Sequence, residues 1–247
     1  MITLLRTRRW LGFTLLVVGV IIAFGLLSQW QWHRAEERDI QRRDLIAHTS
    51  APAVDVMSVI RGDNQVIPVG DTPDWEWQPV ELTGTYDTAQ FVVRRRPLDG
   101  RNGFWVLSRL VTDVGGVWVN RGWIPADGDA LALPEIPAPP PSEVTIRGYL
   151  RSAEPVTADQ WQGVPAGMVP AIAPSLMAAS SILPGYVQLA ASDPRQADLV
   201  ILPLPEIDTS RNISYAVQWI LFALVAGGGW LYMLRREART ARAEANH

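Results

Sequence analysis

Two apolar runs enclose a long polar stretch. Leu11 to Leu27 carries no charged residue and lies between Trp10 on one side and Trp30 and Trp32 on the other. Ile213 to Leu234 is likewise free of charge. A bilayer core about 30 Å thick needs about 20 helical residues at about 1.5 Å each, so either run is long enough to cross it. The first run is long for a signal peptide. It is followed by bulky Gln29-Trp30-Gln31-Trp32-His33, with no small-residue cleavage site, so it predicts a retained transmembrane helix. Arg6, Arg8 and Arg9 precede it, and Arg235, Arg236, Arg239 and Arg242 follow the second run. This bias predicts cytoplasmic ends at 1–9 and 235–247, transmembrane helices at 10–32 and 212–234, and an extracytoplasmic domain at 33–211. Gly19-x-x-x-Ala23 and Ala223-x-x-x-Gly227 are small-residue pairs that permit close helix contact.

Between the runs the periodicity changes twice. Arg34 to His48 mixes charges at helical spacing, so the first helix is expected to continue out of the membrane. From about Pro79 the period shortens to two. Val80 to Tyr86, Phe91 to Arg94, Phe104 to Leu110 and Val117 to Trp123 alternate as strands, and Asp113-Val114-Gly115-Gly116 reads as a hairpin turn. Pro134 to Pro141 is too rich in proline to donate to a sheet and is expected to be an extended connector. Val144 to Leu150, Tyr186 to Ala190 and Leu199 to Leu202 are further expected strands, and Pro174 to Leu183 a short helix. The predicted class is an α+β membrane protein. Two transmembrane helices flank an extracytoplasmic, antiparallel β-rich domain, either a sheet or a partly closed barrel.

Composition narrows the chemistry. The chain has no cysteine, which excludes disulfides, thiol chemistry and Cys-ligated metals. It also has no lysine, which excludes Schiff bases and a P-loop. His33, His48 and His247 are too scattered for a zinc site or a triad, so no metal ion is expected. No phosphate-cradling or nucleophile-elbow motif occurs, and no carboxylate pair stands out as a general acid and base. Nothing points to an enzyme. The segment between the helices holds an excess of acid, so nucleic acid is not expected as a partner. Its one basic concentration is Arg94-Arg95-Arg96 with Arg101, Arg109 and Arg121, readable as a solvated sheet edge or as a site for carboxylates or lipid phosphates. Tyr215, Gln218 and Trp219 open the second helix, either as an interfacial anchor or as a face turned toward the first helix or a partner.

The order of motifs resembles the Surfeit locus protein 1 family. Leu27 to Arg34 is similar to the Trp-Gln-x-x-Arg that closes that family's first membrane helix, and Gly84-Thr85-Tyr86-Asp87 to its Gly-x-aromatic-Asp element. Gly103 to Leu107, Val119 to Pro125, Arg147 to Arg151 and Ser214 to Trp219 continue the series. The resemblance implies a bacterial plasma-membrane assembly factor for haem-copper cytochrome c oxidase, helping insert haem a into the catalytic subunit. It implies as partners that subunit, the haem a synthesis machinery and the lipid bilayer, with haem a bound transiently. The cofactor-binding residues expected on this basis are Trp30, Gln31, His33, Arg34, Arg211, Tyr215 and Gln218. Arg121, Gly122 and Trp123 are expected to bind a partner, Gly122 by allowing a bulge or a partner's close approach, with Trp123 alternatively a core residue. The sequence departs from the family at Asn212, where many members carry a histidine proposed to ligate haem. The amide of Asn212 is a poor ligand, so propionate clamping by Arg34 and Arg211 is expected to outweigh axial ligation. Two other readings compete: a membrane-tethered binding or sensor module for a lipid or envelope partner, and, more distantly, an envelope hydrolase.

Overall fold

The computed structural model describes residues 7–56, 58, 73–126, 133–177, 179–196 and 199–244. The chain divides into two compact units, a helical one formed by Met1–Asp44 with Glu206–His247, and a sheet unit formed by Leu45–Pro205. The expected cytoplasmic ends lie partly outside the described residues.

Helix α1 runs from Arg8 to Thr49 and α2 from Ser210 to Glu244. Both are long and apolar enough to cross a membrane. As the charge spacing predicts, α1 does not stop at the end of its apolar run. Arg34–Glu37, Arg42–Asp39 and Arg43–Asp39 pairs one turn apart line its polar half.

Within the helical unit the two helices meet antiparallel along one seam. Trp230 Nε1 donates to Thr14 Oγ1 at 3.1 Å, Ser28 Oγ to the Ala216 carbonyl at 3.0 Å, and Asn212 Nδ2 to Gln31 Oε1 at 3.1 Å. Between these polar rungs the Phe24 ring stacks on Trp219, with centroids 5.4 Å apart. A Cβ at Gly227 would meet Ile21 at 3.5 Å, an ordinary contact, so Gly227 lies on the seam without the tight approach expected of a small-residue pair. Gly19 has nothing within 4 Å and takes no part.

The sheet unit is built from β1 (Pro79–Val93), β2 (Gly103–Thr112), β3 (Gly115–Pro125), β4 (Val144–Arg151), β5 (Met168–Val169) and β6 (Tyr186–Asp193). The two expected strands at Val80–Tyr86 and Phe91–Arg94 are a single strand, β1, irregular between Tyr86 and Gln90. The Asp113-Val114 turn joins β2 to β3 as expected, with Thr112 paired to Gly115. The sheet order is β2-β3-β6-β4-β1-β5, with β1 also pairing β2.

Three expectations need correction. The sheet is mixed, because β6 runs parallel to β3 and β5 parallel to β1. Its closure into a barrel is only partial, as one of the two expected forms allows. On β1, Pro79–Gly84 pair with β4 and Thr85–Val93 with β2, while β3 and β6 share only Val119–Val187 and Asn120–Gln188. Leu199–Leu202 is no strand, since only Val200 bridges, to Trp123. The expected helix at Pro174–Leu183 shrinks to a 3₁₀ turn at Pro174–Leu176, packed at its start through buried Pro174. The Pro134–Pro141 connector forms neither helix nor strand, as its prolines favour.

Strand β3 is buried on both faces from Gly116 to Ile124. Val117 and Val119 enter one apolar cluster with Leu82, Tyr86, Leu110, Ile146 and Leu189. Trp118 points the other way, among Leu107, Ile172 and Tyr186. Further along, Ile124 joins Val92, Phe104 and Val106 in a third cluster. A strand sandwiched this way is the natural centre of the sheet unit.

Candidate functional site

Two places collect the residues that the sequence singles out. The first is the end of the helix seam. Taking Gln31 and Asn212 as the facing pair, an advance of about 100° per residue puts Trp30 and Arg34 of α1 on one side of the seam. Because α2 runs the opposite way, the same rotation puts its Arg211, Tyr215 and Gln218 on that same side. Five of the seven residues expected at a cofactor therefore share one flank, with Gln31 in the seam beside them. Trp30 and Tyr215 are 55% and 46% exposed there, and Arg211 and Gln218 are exposed as well. Arg34 pairs with Glu37 at 3.1 Å, both side chains largely exposed. His33 is not part of this flank. It turns away from the seam, 61% exposed, with Nδ1 3.4 Å from Glu36.

Asn212, whose amide disfavours metal ligation, has a different use here. Its donation to Gln31 ties the start of α2 to the Trp-Gln segment of α1. Two turns on, Trp219 Nε1 is buried without an acceptor among the described residues. No cluster of three or more His, Asp or Glu suited to a metal ion occurs among the described residues.

The second place is the interior of the sheet unit around Arg121. In the β2–β3 ladder Val106 pairs Gly122 while Leu107 pairs Asn120, so Arg121 is an extra residue, a bulge. The bulge turns Arg121 into the sheet unit, where it is 1% exposed. Its Nη1 donates to Ser108 Oγ at 3.4 Å and the Pro137 carbonyl at 2.9 Å, its Nη2 to the Ala138 carbonyl at 3.3 Å, and its Nε to Gln196 Oε1. Gln196 Nε2 in turn donates to the Tyr86 hydroxyl at 3.1 Å, and the guanidinium stands 5.5 Å from the Tyr86 ring centre. No carboxylate pairs with Arg121 among the described residues. Burial pushes its pKa down, while the neighbouring Tyr86 pushes it up. Burial also raises the Tyr86 pKa, against the Gln196 hydrogen bond and the Arg121 charge.

Gly122 has φ 143°, and an added Cβ would sit 2.7 Å from the Val200 carbonyl oxygen. The close approach that glycine permits is thus made by the chain itself. Trp123 and Val200 exchange backbone hydrogen bonds of 2.8 and 3.0 Å. Trp123 is 4% exposed and donates Nε1 to the Arg96 carbonyl at 2.6 Å. Arg121, Gly122 and Trp123, expected at a partner surface, are interior. They brace the connector at Pro137–Ala138 and the segment at Val200, and any partner contact must be made by what they hold in place.

Sequence reasoning missed a second interior polar cluster. Arg151 Nε donates to Glu76 Oε1 at 2.7 Å, its Nη1 to Gln188 Oε1 at 3.1 Å, and its guanidinium stacks 3.7 Å from the Trp77 ring centre. The Ser152 amide donates to the second Glu76 oxygen at 2.6 Å, and His48 Nδ1 lies 2.9 Å from the Glu76 carbonyl. Arg151 closes the Arg147–Arg151 motif, which is the signal that could have found it.

The comparisons with known proteins agree with this architecture. The SURF1 family profile matches residues 18–224, reaching into both helices and covering the sheet unit. Uncharacterized SURF1-like proteins of Mycobacterium bovis and of two strains of Mycobacterium tuberculosis are each 29% identical over 249 aligned residues. The alignments cover 95% of this chain and 87% of each relative. The chain belongs to the SURF1 family.

Proposed function

We propose that the chain is a membrane-anchored, non-catalytic assembly factor for haem-copper cytochrome c oxidase, assisting delivery of haem a to the catalytic subunit in a bacterial plasma membrane. The observation that carries this reading is the family match across both apolar helices and the sheet unit together. In the topology we propose, both ends of the chain are cytoplasmic and the sheet unit is outside, following the arginine bias. Reporter fusions at Asp63, which lies outside the described residues, and after His247 should report opposite sides. Reports from the same side at both positions overturn the topology.

Haem a enters this reading as cargo, and the flank at the helix seam fits one part of it. Arg34 and Arg211 supply guanidinium donors suited to carboxylates such as propionates, and Trp30 and Tyr215 supply exposed aromatic surface on the same side. That flank has no imidazole. His33 faces elsewhere, and the amide of Asn212 is engaged by Gln31. Weak binding held by the propionates, without a strong axial ligand, is the expected outcome.

Deleting the gene and recording reduced-minus-oxidised spectra of membranes tests the function. Loss of the haem a band with b- and c-type signals kept is expected. An unchanged haem a band overturns the assignment. A haem titration of the purified protein then separates the two binding modes. Arg34→Ala with Arg211→Ala should weaken binding, and His33→Ala should leave it unchanged. Loss of a tight low-spin spectrum in His33→Ala alone makes His33 an axial ligand instead.

A further inference from the structure

The arginine run at the end of β1 takes no part in the proposed haem delivery. The sheet unit as a whole is acidic, with ten arginines against seventeen carboxylates between residues 45 and 205. Four of those ten, Arg94, Arg95, Arg96 and Arg101, fall within eight residues that contain one acid, Asp99. Such a concentration on an otherwise repulsive surface needs a reason.

The loop is held rigidly. Leu98 and Arg101 exchange two backbone hydrogen bonds of 3.0 Å across Asp99 and Gly100, whose φ angles of 50° and 75° make a tight left-handed turn. Arg95 also has positive φ, 57°, and the amides on either side of it are fixed, Arg94 N to the Val169 carbonyl and Arg96 N to the Gly103 carbonyl. Beneath the loop Trp105 and Trp123 face each other across the β2–β3 ladder. The Arg96 guanidinium lies 4.1 Å from the Trp105 ring centre and that of Arg101 5.7 Å from the Trp123 ring centre.

The four arginines divide by use. Arg96 is committed internally to Glu154, which also accepts the Ile172 amide at 2.9 Å. Arg94, Arg95 and Arg101 pair with no carboxylate among the described residues, and Arg94 Nε is buried with no acceptor there. A guanidinium laid on an aromatic ring keeps its in-plane N–H donors free and loses less side-chain entropy when it meets an acceptor.

We propose that this loop is a docking surface for a carboxylate-bearing segment of a partner protein, contacted by Arg94, Arg95 and Arg101. An acidic peptide fits better than an anionic bilayer for two reasons. No large apolar side chain of residues 94–101 is exposed for insertion, and the tip carries Asp99, which repels a continuous phosphate surface but leaves room for discrete carboxylates. The acidic remainder of the unit repels a non-specific polyanion and so favours approach at this loop.

The cysteine-free chain permits a local test. An environment-sensitive dye on Pro97→Cys in the full-length, detergent-solubilised protein reports at the loop, and the probe is an octaglutamate peptide. A saturable dye response at low salt is expected, weakening steeply as salt rises. Arg95→Gln with Arg101→Gln should weaken it at least tenfold. Arg147→Gln, an exposed arginine paired with Glu81, should leave it unchanged. Arg101→Gln alone, at an exposed position, serves if the double variant melts early, with a loss of a few-fold expected. No saturable response, or equal losses in Arg147→Gln, overturns the proposal. So does a response to phosphatidylglycerol vesicles or inorganic phosphate that the peptide cannot displace.

Discussion

Replacing Arg121 should destabilise the sheet unit through the acceptors it leaves behind. Arg121→Ala removes the donors to the Pro137 and Ala138 carbonyls and to Gln196; Ser108 keeps Gln90, which donates to it at 3.2 Å. The buried Gln196 oxygen left without a donor costs about 1–3 kcal/mol, the two part-buried carbonyls about 1 kcal/mol each, and the vacated volume about 2 kcal/mol. Against this stands the relief of a buried guanidinium that has no carboxylate partner, worth several kcal/mol. The net expectation is about 2–4 kcal/mol of destabilisation. At about 2–4 °C per kcal/mol for a unit of this size, the melting temperature falls by roughly 10 °C. Arg121→Met keeps most of the volume and should cost about 2 kcal/mol. Arg121→Lys keeps the charge but not the fork and should fall between the two. The assay is thermal unfolding of the full chain in detergent, followed by tryptophan fluorescence. If Arg121→Met melts at or above the wild-type temperature, desolvation of the cation outweighs its hydrogen bonds, and the bracing role assigned to Arg121 is wrong.

Gly122→Ala should cost about 1–3 kcal/mol in the same assay, because φ 143° and the Val200 carbonyl at 2.7 Å both oppose a Cβ; an unchanged melting temperature contradicts the close approach. Trp118→Ala should cost about 3–5 kcal/mol, since the ring is fully buried among Leu107, Ile172 and Tyr186, and a loss below 1 kcal/mol places the ring elsewhere. Tyr86 and Tyr186 both have pKa values raised, chiefly by burial, so their neutral forms are favoured by folding. Their contribution is intact below the unfolded phenol pKa of about 10 and is lost as pH rises through the higher folded values. Absorbance at alkaline pH should show these two ionising only as the fold is lost; reversible titration near pH 10 of all five tyrosines in the folded protein contradicts it. Cysteines at Ile21 and Gly227 should be joined by a short bifunctional thiol reagent, and cysteines at Gly19 and Gly227 should not; the reverse result refutes the seam.

What the sequence made legible was whatever a local period carries. Charge-free runs at 11–27 and 213–234 announced helices, and alternation at 104–110 and 117–123 around Asp113-Val114 announced a hairpin. The parallel β3–β6 pairing was hidden, because it joins Val119 to Val187 across intervening strands and rests on two residue pairs. Met168-Val169 is too short to show any period, and it pairs only because Val92 and Val93 present a free edge. Of the residues expected at a cofactor, Trp30, Arg34, Arg211, Tyr215 and Gln218 fall on one flank of the seam and His33 does not, because proximity in sequence to Gln31 says nothing about which side of a helix is faced. Arg121 was expected at a partner surface because it lies in the most specific motif, Val119 to Pro125. Its burial follows from the bulge, which no two-residue period reveals.

That bulge also sets the reading frame of β3. Before it, odd-numbered residues Val117 and Val119 share a face with Leu110; after it, even-numbered Ile124 shares that face with Phe104 and Val106. Flattening the bulge with Arg121 still in the chain would therefore do more than move a cation. Strict alternation through a retained Arg121 would send Ile124 toward Trp105 and drive the Trp123 indole into the space between Phe104 and Val106. The chain can accept insertions at the exposed Asp113-Val114 turn, because nothing downstream changes phase there. At position 121 loss of the one extra residue leaves Gly122 to Ile124 on their faces, whereas forcing that residue into the ladder turns the rest of the strand inside out.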